Sequence, residues 1–429
     1  MKKKYRIILY TSIFLLCVVA SIILVVKKSN SVYEEESKPK VVKHKSMLSM
    51  NLEQTAGAGD YKQVTQSSWP TEGYKFNAEL SRCENGSTLS WDDTKKEVIV
   101  SGNLSDKCYV YFDIYQPTLA EYIKSQYTGT QGENNIYYHD SDLANGAGDN
   151  SYRYAGANPN NFVCFGTTES PCPTDNLYRI IGVFGENYHG VTGKQLVKLI
   201  KYDYMTTDEL GTDGDYSQTY KEWGMDSTYK GTYGDGERIG VYYWNYKATG
   251  SATNTWSTSL LNKTNLNTNF INNIGTTWAN KIATVTWKVG GNTWANIGTK
   301  TSSVAYTNEI TNPVTTNTTD NATTYSAKIG LMYVSDYGFA ASPDAWTLTM
   351  SSYNNTTATN NNWMYMGLYE WTISRDAVSS DGAFGVGDVG DVYGYDVGSD
   401  IGVRASFNLE SSVSYVSGSG SMSDPIVIN

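Results

Sequence analysis

Hydrophobic and polar residues alternate along most of the chain, and this period of two predicts β-strands. Three such stretches lie between residues 87 and 115, separated by the turn signals Asp92-Asp93 and Gly102-Asn103. Four more strands are predicted where apolar residues run between turn signals: LYRIIGVF (177–184), QLVKLIKY (195–202), EWTISR (370–375) and IGVRASFNL (401–409). The pattern therefore predicts an α+β fold that is mostly β.

Two stretches have the spacing of helices instead. Residues 118–127 follow a proline and place Thr118 and Glu121 at the spacing of a capping box. Residues 259–275 carry apolar side chains on one helical face, namely Leu266, Phe270 and Ile274. We expect a helix in each place.

Two other apolar stretches are predicted to be strands. Residues 283–297 are expected to form a hairpin that turns at Gly290-Gly291, and the nearly unbroken apolar run at 327–337 indicates a buried strand. The Asn/Thr-rich tracts 307–325 and 351–363 can bury little apolar surface, so we expect surface loops there.

The first 28 residues have the pattern of a membrane anchor. Residues 7–26 contain no charged side chain and, as a helix, are long enough to cross a bilayer. Small residues at cleavage spacing are missing, which disfavours a cleaved signal peptide. Basic residues before the apolar segment favour a cytoplasmic N-terminus. We expect a single-pass anchor at 1–28, a linker at 29–60 and an extracellular body on the cell membrane.

Charge is distributed unevenly between the start of the chain and its body. Residues 1–45 hold ten Lys and Arg, which leaves 23 basic and 40 acidic residues in the remainder. Phosphate binding needs clustered cations, so this acidic balance argues against nucleic acid as a partner. The body is also rich in Tyr, with 35 against 10 Phe, and this favours contact surfaces that are half buried.

Four cysteines follow the apolar segment and form two close pairs in the sequence, Cys83 with Cys108 and Cys164 with Cys172. An even, locally paired set suits disulfides in an oxidising exterior, whereas zinc sites need a different spacing with nearby histidine. The first pair would staple a small β module at 61–115, which is too short to hold much core alone. A larger domain follows at 116–429.

Six motifs in the larger domain carry a resemblance to a known family. In order they are LYRIIG (177–182), QLVKLI (195–200), WSTSLLNKTNLNTNFI (256–271), KIGLMYVSDY (328–337), EWTISR (370–375) and IGVRASFNL (401–409). Together they resemble a bacterial surface domain of unknown function that is common in gut Gram-positive bacteria. That domain is similar to the C-type lectin-like fold of formylglycine-generating enzymes and of the variable receptors of diversity-generating retroelements.

The resemblance implies a framework role for Trp371, Arg375 and Arg404, since the corresponding strands lie near the centre of such folds. A buried Arg needs a partner, so we expect acidic side chains or carbonyl groups beside both arginines. The sequence departs from the family at Ala405, where Pro is usual, and at Thr372-Ile373-Ser374, where Leu-Arg-Ser is usual.

The segment between the two frame strands, 376–400, is the candidate ligand surface. Tyr393 and Tyr395 are spaced to lie on one face of a strand next to Asp396. With Trp363, Tyr365 and Tyr369 they could form a rigid aromatic patch for a glycan or protein ligand, although packing of the earlier three on the sheet is an open alternative. A second alternative is a calcium site whose ligands are Asp388, Asp391, Asp396 and Asp400. The favoured interpretation of this segment is a hairpin in which Gly-Asp pairs form the turns.

Enzymatic readings have little support in the sequence. His139, with Asp140 and Asp142, could act as a base or hold a cation, yet a solvated turn is the preferred interpretation. No cysteine follows Cys172, which excludes formylglycine-type oxidation. No P-loop, Gly-x-Ser-x-Gly or His-Glu-x-x-His motif is present.

The sequence therefore predicts a membrane-anchored extracellular binding or adhesion protein with no catalytic residues and no required cofactor. A structural surface or pilus-like subunit and a glycan-active ectoenzyme are the alternatives.

Overall fold

A computed structural model describes residues 48–65, 68–70, 73–103, 105–220, 229–232, 239–247, 252–293, 297–313 and 323–429. The predicted anchor at 1–28, and with it the predicted membrane location, falls outside this range, as does the linker up to residue 47. Within the described ranges, no helix is both long and apolar enough to span a bilayer. Strands make up 32% and helices 20%, so the prediction of a mostly β chain is confirmed.

The chain divides into two compact units, Met1–Gln116 and Pro117–Asn429. The N-terminal unit contains the strands β1 (Leu48–Glu53), β2 (Tyr61–Val64), β3 (Tyr74–Phe76), β4 (Arg82–Cys83), β5 (Thr88–Asp92), β6 (Glu97–Ser101) and β7 (Cys108–Ile114). Its sheet has the order β2-β1-β7-β3, with β4 also paired to β7, and β5 and β6 form a separate hairpin.

Strand β1 corrects the predicted linker. Residues 48–53 fall in the range 29–60 that the sequence assigned to a linker, but they pair in parallel with β7, from Leu48 opposite Cys108 to Leu52 opposite Phe112. Met50 and Leu52 are buried in the small core of this unit together with Val110 and Phe112. The segment was missed because its short apolar alternation is recognisable only once its partner strand is known.

Both predicted disulfides are present. Cys83 is bonded to Cys108, directly across the β4–β7 pair, and Cys164 is bonded to Cys172 in the C-terminal unit. The first bond joins two neighbouring strands of the sheet around a core of a few apolar side chains. The disulfide therefore stabilises a unit whose small apolar core contributes little stability by itself.

The strands of the C-terminal unit are β8 (Ile136–His139), β9 (Ser151–Tyr154), β10 (Phe162–Cys164), β11 (Leu177–Phe184), β12 (Leu196–Lys201), β13 (Tyr216–Tyr220), β14 (Ile239–Tyr242), β15 (Val285–Lys288), β16 (Thr324–Ala327), β17 (Ile329–Gly330), β18 (Glu370–Arg375), β19 (Gly382–Val386), β20 (Val392–Asp396), β21 (Ile401–Gly402), β22 (Ser406–Asn408), β23 (Tyr415–Ser417) and β24 (Val427–Ile428).

The α-helices of this unit are α1 (Leu119–Ser125), α2 (Glu186–His189), α3 (Thr207–Leu210), α4 (Ile271–Ala279), α5 (Ser302–Tyr306), α6 (Val334–Ala340) and α7 (Thr356–Asn360). Two π-helical segments, Leu261–Phe270 and Thr307–Thr311, continue into or from neighbouring helices. Short 3-10 turns occur at Glu133–Asn135, Thr174–Asn176, Pro343–Ala345 and Met350–Ser352.

Two larger sheets form the framework of the C-terminal unit. The first has the order β17-β22-β12-β11-β9-β8, with β10 also paired to β11. The second has the order β13-β14-β21-β18-β19-β20 and contains the first frame strand, β18. The single strand predicted at 401–409 is wrong, because the structure divides it into β21 in the second sheet and β22 in the first, with Arg404 between them. Strands β11 and β12 are buried along their whole length, as their nearly continuous apolar runs predict. The two ends of this unit meet, because Leu119 N–H donates to the Val413 carbonyl and Tyr415 N–H to the Pro117 carbonyl.

Both predicted helices are confirmed. Helix α1 begins after Thr118, whose hydroxyl accepts from Glu121 N–H while the Glu121 carboxylate accepts from Thr118 N–H. The second spans the π-helical segment and α4, and it buries Leu266 and Phe270. These elements were predictable because their signals are local in sequence.

The predicted hairpin at 283–297 is wrong. Strand β15 pairs with β16, from Val285 opposite Ala327 to Lys288 opposite Thr324. Gly291 is required here for a packing reason, because a β-carbon at this position would clash with the carbonyl oxygen of Arg375. Close approach to a frame strand therefore requires the glycine that the sequence suggested for a turn.

The predicted strand at 327–337 is also largely wrong. Within this range Ala327 ends β16 and Ile329–Gly330 form β17, but helix α6 begins at Val334. The buried carboxylate of Glu309 accepts hydrogen bonds from the N–H groups of Val334 and Ser335, at 3.1 and 3.0 Å. A helix start is thus capped by a residue from the tract 307–325 that was predicted to be a loop. Its cap lies too far away in sequence for a local motif to show it.

The first disulfide should carry a large share of the stability of the N-terminal unit. The double substitution Cys83→Ala/Cys108→Ala releases a loop closed across 25 residues and should lower the free energy of unfolding of this unit by about 3 kcal/mol. Urea unfolding measures the change. As a control, Cys164→Ala/Cys172→Ala should affect the transition of the C-terminal unit and leave the N-terminal unit unchanged. Equal stability of the first variant and the wild type would contradict the prediction.

Candidate ligand-binding site

The first frame strand, β18, is buried along its whole length. The indole N–H of Trp371 donates to the Tyr242 carbonyl at 2.8 Å, and the Thr372 hydroxyl donates to the Phe384 carbonyl at 2.7 Å. The first bond connects β18 to β14, which lies beyond β21 in the sheet, and the second connects β18 to its neighbour β19. The geometry is that of a scaffold, in keeping with the framework role expected for Trp371.

A buried ion pair joins the two frame strands. Arg404 Nε and Nη2 donate to the two carboxylate oxygens of Glu370, each at 2.8 Å. Nη2 also donates to the Met364 carbonyl at 2.6 Å. Neither side chain reaches solvent to any useful extent. The forked geometry satisfies both charges, and it supplies the acidic partner expected for this arginine.

Arg375 differs from Arg404 in its partners. Its side chain is buried, yet the guanidinium makes no hydrogen bond to the residues that the structure describes. Burial lowers the pKa of Arg375 below its ordinary value, and the nearby Asp376 carboxylate opposes that shift. The expectation of a hydrogen-bonded partner is thus met for Arg404 and not for Arg375.

The segment between the frame strands is a hairpin, as the favoured interpretation predicted. Strands β19 and β20 pair from Gly382 opposite Asp396 to Val386 opposite Val392. Tyr393 and Tyr395 lie on the same face, where Tyr393 is 45% exposed and Tyr395 is half buried. Asp396 is exposed at the end of β20. The hairpin therefore presents tyrosine rings and a carboxylate to solvent.

The ring of Tyr395 connects the exposed hairpin to the buried frame. It meets Tyr369 and Trp371 edge to face, with ring centroids 6.0 and 6.1 Å apart. Tyr369 is itself half buried. Tyr369, Tyr393, Tyr395 and Asp396 are hereafter called the hairpin surface.

Trp363 and Tyr365 do not belong to this open surface. Trp363 is 3% exposed, donates its indole N–H to the Tyr154 carbonyl, and packs on the Arg179 guanidinium. Tyr365 is buried too, and its hydroxyl donates to the Asp388 carbonyl at 2.5 Å. The structure therefore supports the packing alternative for these two residues and corrects their placement in a solvent-facing patch.

Two buried tyrosine hydroxyls hold the turn of the hairpin. Tyr365 contacts Asp388 as described, and the Tyr337 hydroxyl donates to the Gly390 carbonyl at 2.6 Å. Val389, between these two anchored carbonyls, is 50% exposed. The turn is thus fixed from below while its tip faces solvent. Tyr337 was missed because the sequence assigned it to a buried strand.

The acidic residues of the hairpin do not gather around one point. Asp400 accepts from the Ser217 hydroxyl at 2.6 Å and from the Gln218 amide at 3.1 Å. Asp396 accepts from Gly398 N–H at 2.8 Å, within the next turn. In the described part of the chain, no three His, Cys, Asp or Glu side chains are grouped closely enough to hold a metal ion.

His139 corrects a second expectation, because it lies in the core instead of a solvated turn. Its ring packs against Phe339 and Trp346, and Nδ1 accepts from Ala147 N–H at 3.0 Å. The proton therefore belongs on Nε2, which has no hydrogen-bond partner among the described residues. Burial, with the nearby Arg153 charge, lowers the pKa of His139 well below 6.5.

Sequence reasoning also missed a buried charge network. Lys198 Nζ donates to Asp336 Oδ2 and to the Tyr188 hydroxyl, each at 2.7 Å. Arg153 Nη1 lies 3.6 Å from Asp336 Oδ1, and its Nη2 lies 2.7 Å from Asp149. The sequence signal for this network is Lys198, which lies within the apolar run QLVKLIKY. A cation buried in such a strand requires an acidic partner.

Glu309 is a further buried acid that sequence reasoning missed. Burial raises its pKa to about 7, against the opposing hydrogen bonds from Ser374 and Ser335. Such a pKa can mark a catalytic acid. Here both carboxylate oxygens already accept bonds from the start of α6, so the arrangement supports an anchoring role.

Comparisons of the chain with protein-family models, with curated proteins and with solved structures give no match.

The Glu370–Arg404 pair should be costly to break from one side. Glu370→Gln leaves the Arg404 charge buried without a counter-charge and should lower the free energy of unfolding of the C-terminal unit by about 3–5 kcal/mol. The double substitution Glu370→Leu/Arg404→Met removes both charges and should recover most of that loss. Urea unfolding followed by tryptophan fluorescence provides the values. A cost below about 1 kcal/mol for the single variant would show that the pair is not a structural anchor.

His139 should make the C-terminal unit sensitive to acid. Because the pKa is lower in the folded than in the unfolded chain, the stability from neutral His139 is present above pH 6.5 and is lost as pH falls below it. The loss should reach up to about 2 kcal/mol at pH 5. Urea unfolding of wild type and His139→Gln at pH 7.5 and 5 isolates this contribution, because Gln does not titrate. Equal pH dependence in the two proteins would refute it.

Proposed function

We propose that the chain is an extracellular binding protein that displays the hairpin surface to a glycan or protein ligand. The observation that carries this proposal is the clamped turn. Tyr337 and Tyr365 bond to carbonyl groups on both sides of the exposed Val389. A surface that is ordered before binding loses less conformational entropy when the ligand arrives.

The chemistry of the hairpin surface supports recognition by stacking and hydrogen bonding. Tyr393 offers a large exposed ring with a polar hydroxyl, and Asp396, the residue directly after Tyr395, adds an exposed acceptor at the end of the strand. Tyrosine gives much contact area with few rotatable bonds, which suits the flat faces of sugars and protein epitopes alike. Tyr369 supports the ring of Tyr395 from one side.

The proposed location is the outside of the cell membrane, with a single N-terminal span. The uncharged segment 7–26 and the two disulfides support this location, since disulfides persist in oxidising compartments. For the C-terminal unit we propose the C-type lectin-like fold of the surface-domain family that the six motifs resemble. Its mainly antiparallel sheets with short helices support that assignment.

Removing the exposed ring should weaken binding without harming the fold. Tyr393→Ser in the full chain should reduce retention on a printed glycan array or on an array of purified mucin and matrix glycoproteins by at least about tenfold. Tyr246→Ser is a matched control, because Tyr246 is similarly exposed and lies outside the hairpin. Unchanged binding by the Tyr393 variant, or no wild-type signal on either array, would overturn the proposal.

A second variant tests whether the clamp matters. Tyr337→Phe keeps the buried ring but removes the hydroxyl that holds Gly390. The exposed side chains stay the same, so any loss should come from a looser turn. We expect binding to fall severalfold and amide hydrogen exchange to rise across residues 387–391. If amide exchange became faster while the affinity stayed the same, order in the turn would not contribute to ligand binding, and this prediction would be wrong.

A further inference from the structure

A cleft of about 600 Å³ opens in the C-terminal unit, away from the residues of the hairpin surface. One wall combines Gly166, from the loop that Cys164–Cys172 closes, with Asp175 and Asn176, from the 3-10 turn that follows this loop. A second wall comes from α3, including Asp208, and a third from α4 and the residue before it. The volume falls within the usual range for small-molecule sites.

The cleft has an unpaired polar group at its buried side. Tyr178, on β11, is 2% exposed and lines the cleft, and its hydroxyl makes no hydrogen bond to any residue that the structure describes. Burial raises the pKa of this hydroxyl well above 10, so it stays protonated and can donate. Because Tyr178 lines the cleft and its hydroxyl has no protein partner among the described residues, this hydroxyl is available to a ligand group there.

Other polar groups in the cleft divide into committed and available ones. Glu209 is committed, because one oxygen pairs with Lys201 Nζ at 2.6 Å and the other accepts from Thr206 N–H at 2.8 Å. The carboxylates of Asp175 and Asp208 accept no hydrogen bond from the described residues, so they remain available.

Asn273 is anchored through its amide nitrogen, which donates to the Asp208 carbonyl at 3.0 Å, and this leaves its amide oxygen available. Phe270 and Ile274 add an apolar wall. The available set is therefore two carboxylates, one amide oxygen and one hydroxyl beside apolar carbon.

We propose that this cleft binds a neutral sugar or short oligosaccharide. Sugar hydroxyls are donors that match carboxylate and amide oxygens, the Tyr178 hydroxyl can donate to a ring or hydroxyl oxygen, and the C–H face of the sugar fits against Phe270 and Ile274. The donor set disfavours a metal ion, because no three metal-binding side chains are grouped in the described residues. The site shares no residue with the hairpin surface, so it stands apart from the function proposed above.

Two mild substitutions test the cleft. Tyr178→Phe removes only an unpaired hydroxyl, and Asp208→Asn keeps the shape of the side chain while removing its charge. The full chain, purified in a detergent without a sugar headgroup, is titrated with glucose, galactose, mannose, N-acetylglucosamine and their disaccharides by calorimetry and by saturation-transfer NMR. We expect at least one of these sugars to bind and each variant to weaken that binding by at least about tenfold.

Matched controls are Tyr246→Phe and Asp142→Asn, which make the same chemical changes at exposed positions outside the cleft. Both should bind sugar as the wild type does. The sugar assignment is overturned if no sugar in the panel binds, or if both cleft variants bind unchanged. It is also overturned if spermidine binds in place of sugars and loses affinity in Asp208→Asn. Because no hairpin residue is altered, failure here is separate from failure of the proposed function.

Discussion

The buried pair between Glu370 and Arg404 is the constraint on which the second sheet and its hairpin depend. Glu370 begins β18, and Arg404 follows β21, the strand that pairs with β18 in parallel at Glu370 and Gly402. Two charges removed from water must satisfy each other or destabilise the fold. The pair therefore holds the start of β18 beside the end of β21, the two strands between which the hairpin lies in the chain.

Successive contacts connect this buried pair to the solvent-exposed end of the hairpin. Trp371 and Thr372 bond β18 to β14 and β19, and Tyr395 packs edge to face on Trp371. The turn is held by the hydroxyls of Tyr337 and Tyr365. Only the outer end of this arrangement, around Val389 and Tyr393, is substantially exposed. The contrast between an anchored base and an exposed tip is the feature that supports the proposed binding role of the hairpin.

The cleft beside Tyr178 rests on a different set of contacts. Lys201 and Glu209 pair at its edge, and the Cys164–Cys172 bond closes the loop that forms one wall. Lys201 and Glu209 neutralise each other in this pair. The Tyr178 hydroxyl and the carboxylates of Asp175 and Asp208 make no hydrogen bond to the described residues. Hydrogen bonding thus distinguishes the polar groups that stabilise the walls of the cleft from those that are available to a ligand.

The sequence by itself determined the features whose signals are local. The capping box at Thr118, the apolar runs of β11 and β12, the hairpin after β18 and both disulfide pairs were predictable, because each depends on residues close together in the chain. Only the tertiary structure decided the partner of β15, the strand role of residues 48–53, the cap that Glu309 provides to α6, and the burial of Trp363, Tyr365 and His139. Sheet pairing and burial depend on which distant segments come together, and a side chain can be exposed or buried with the same local pattern around it.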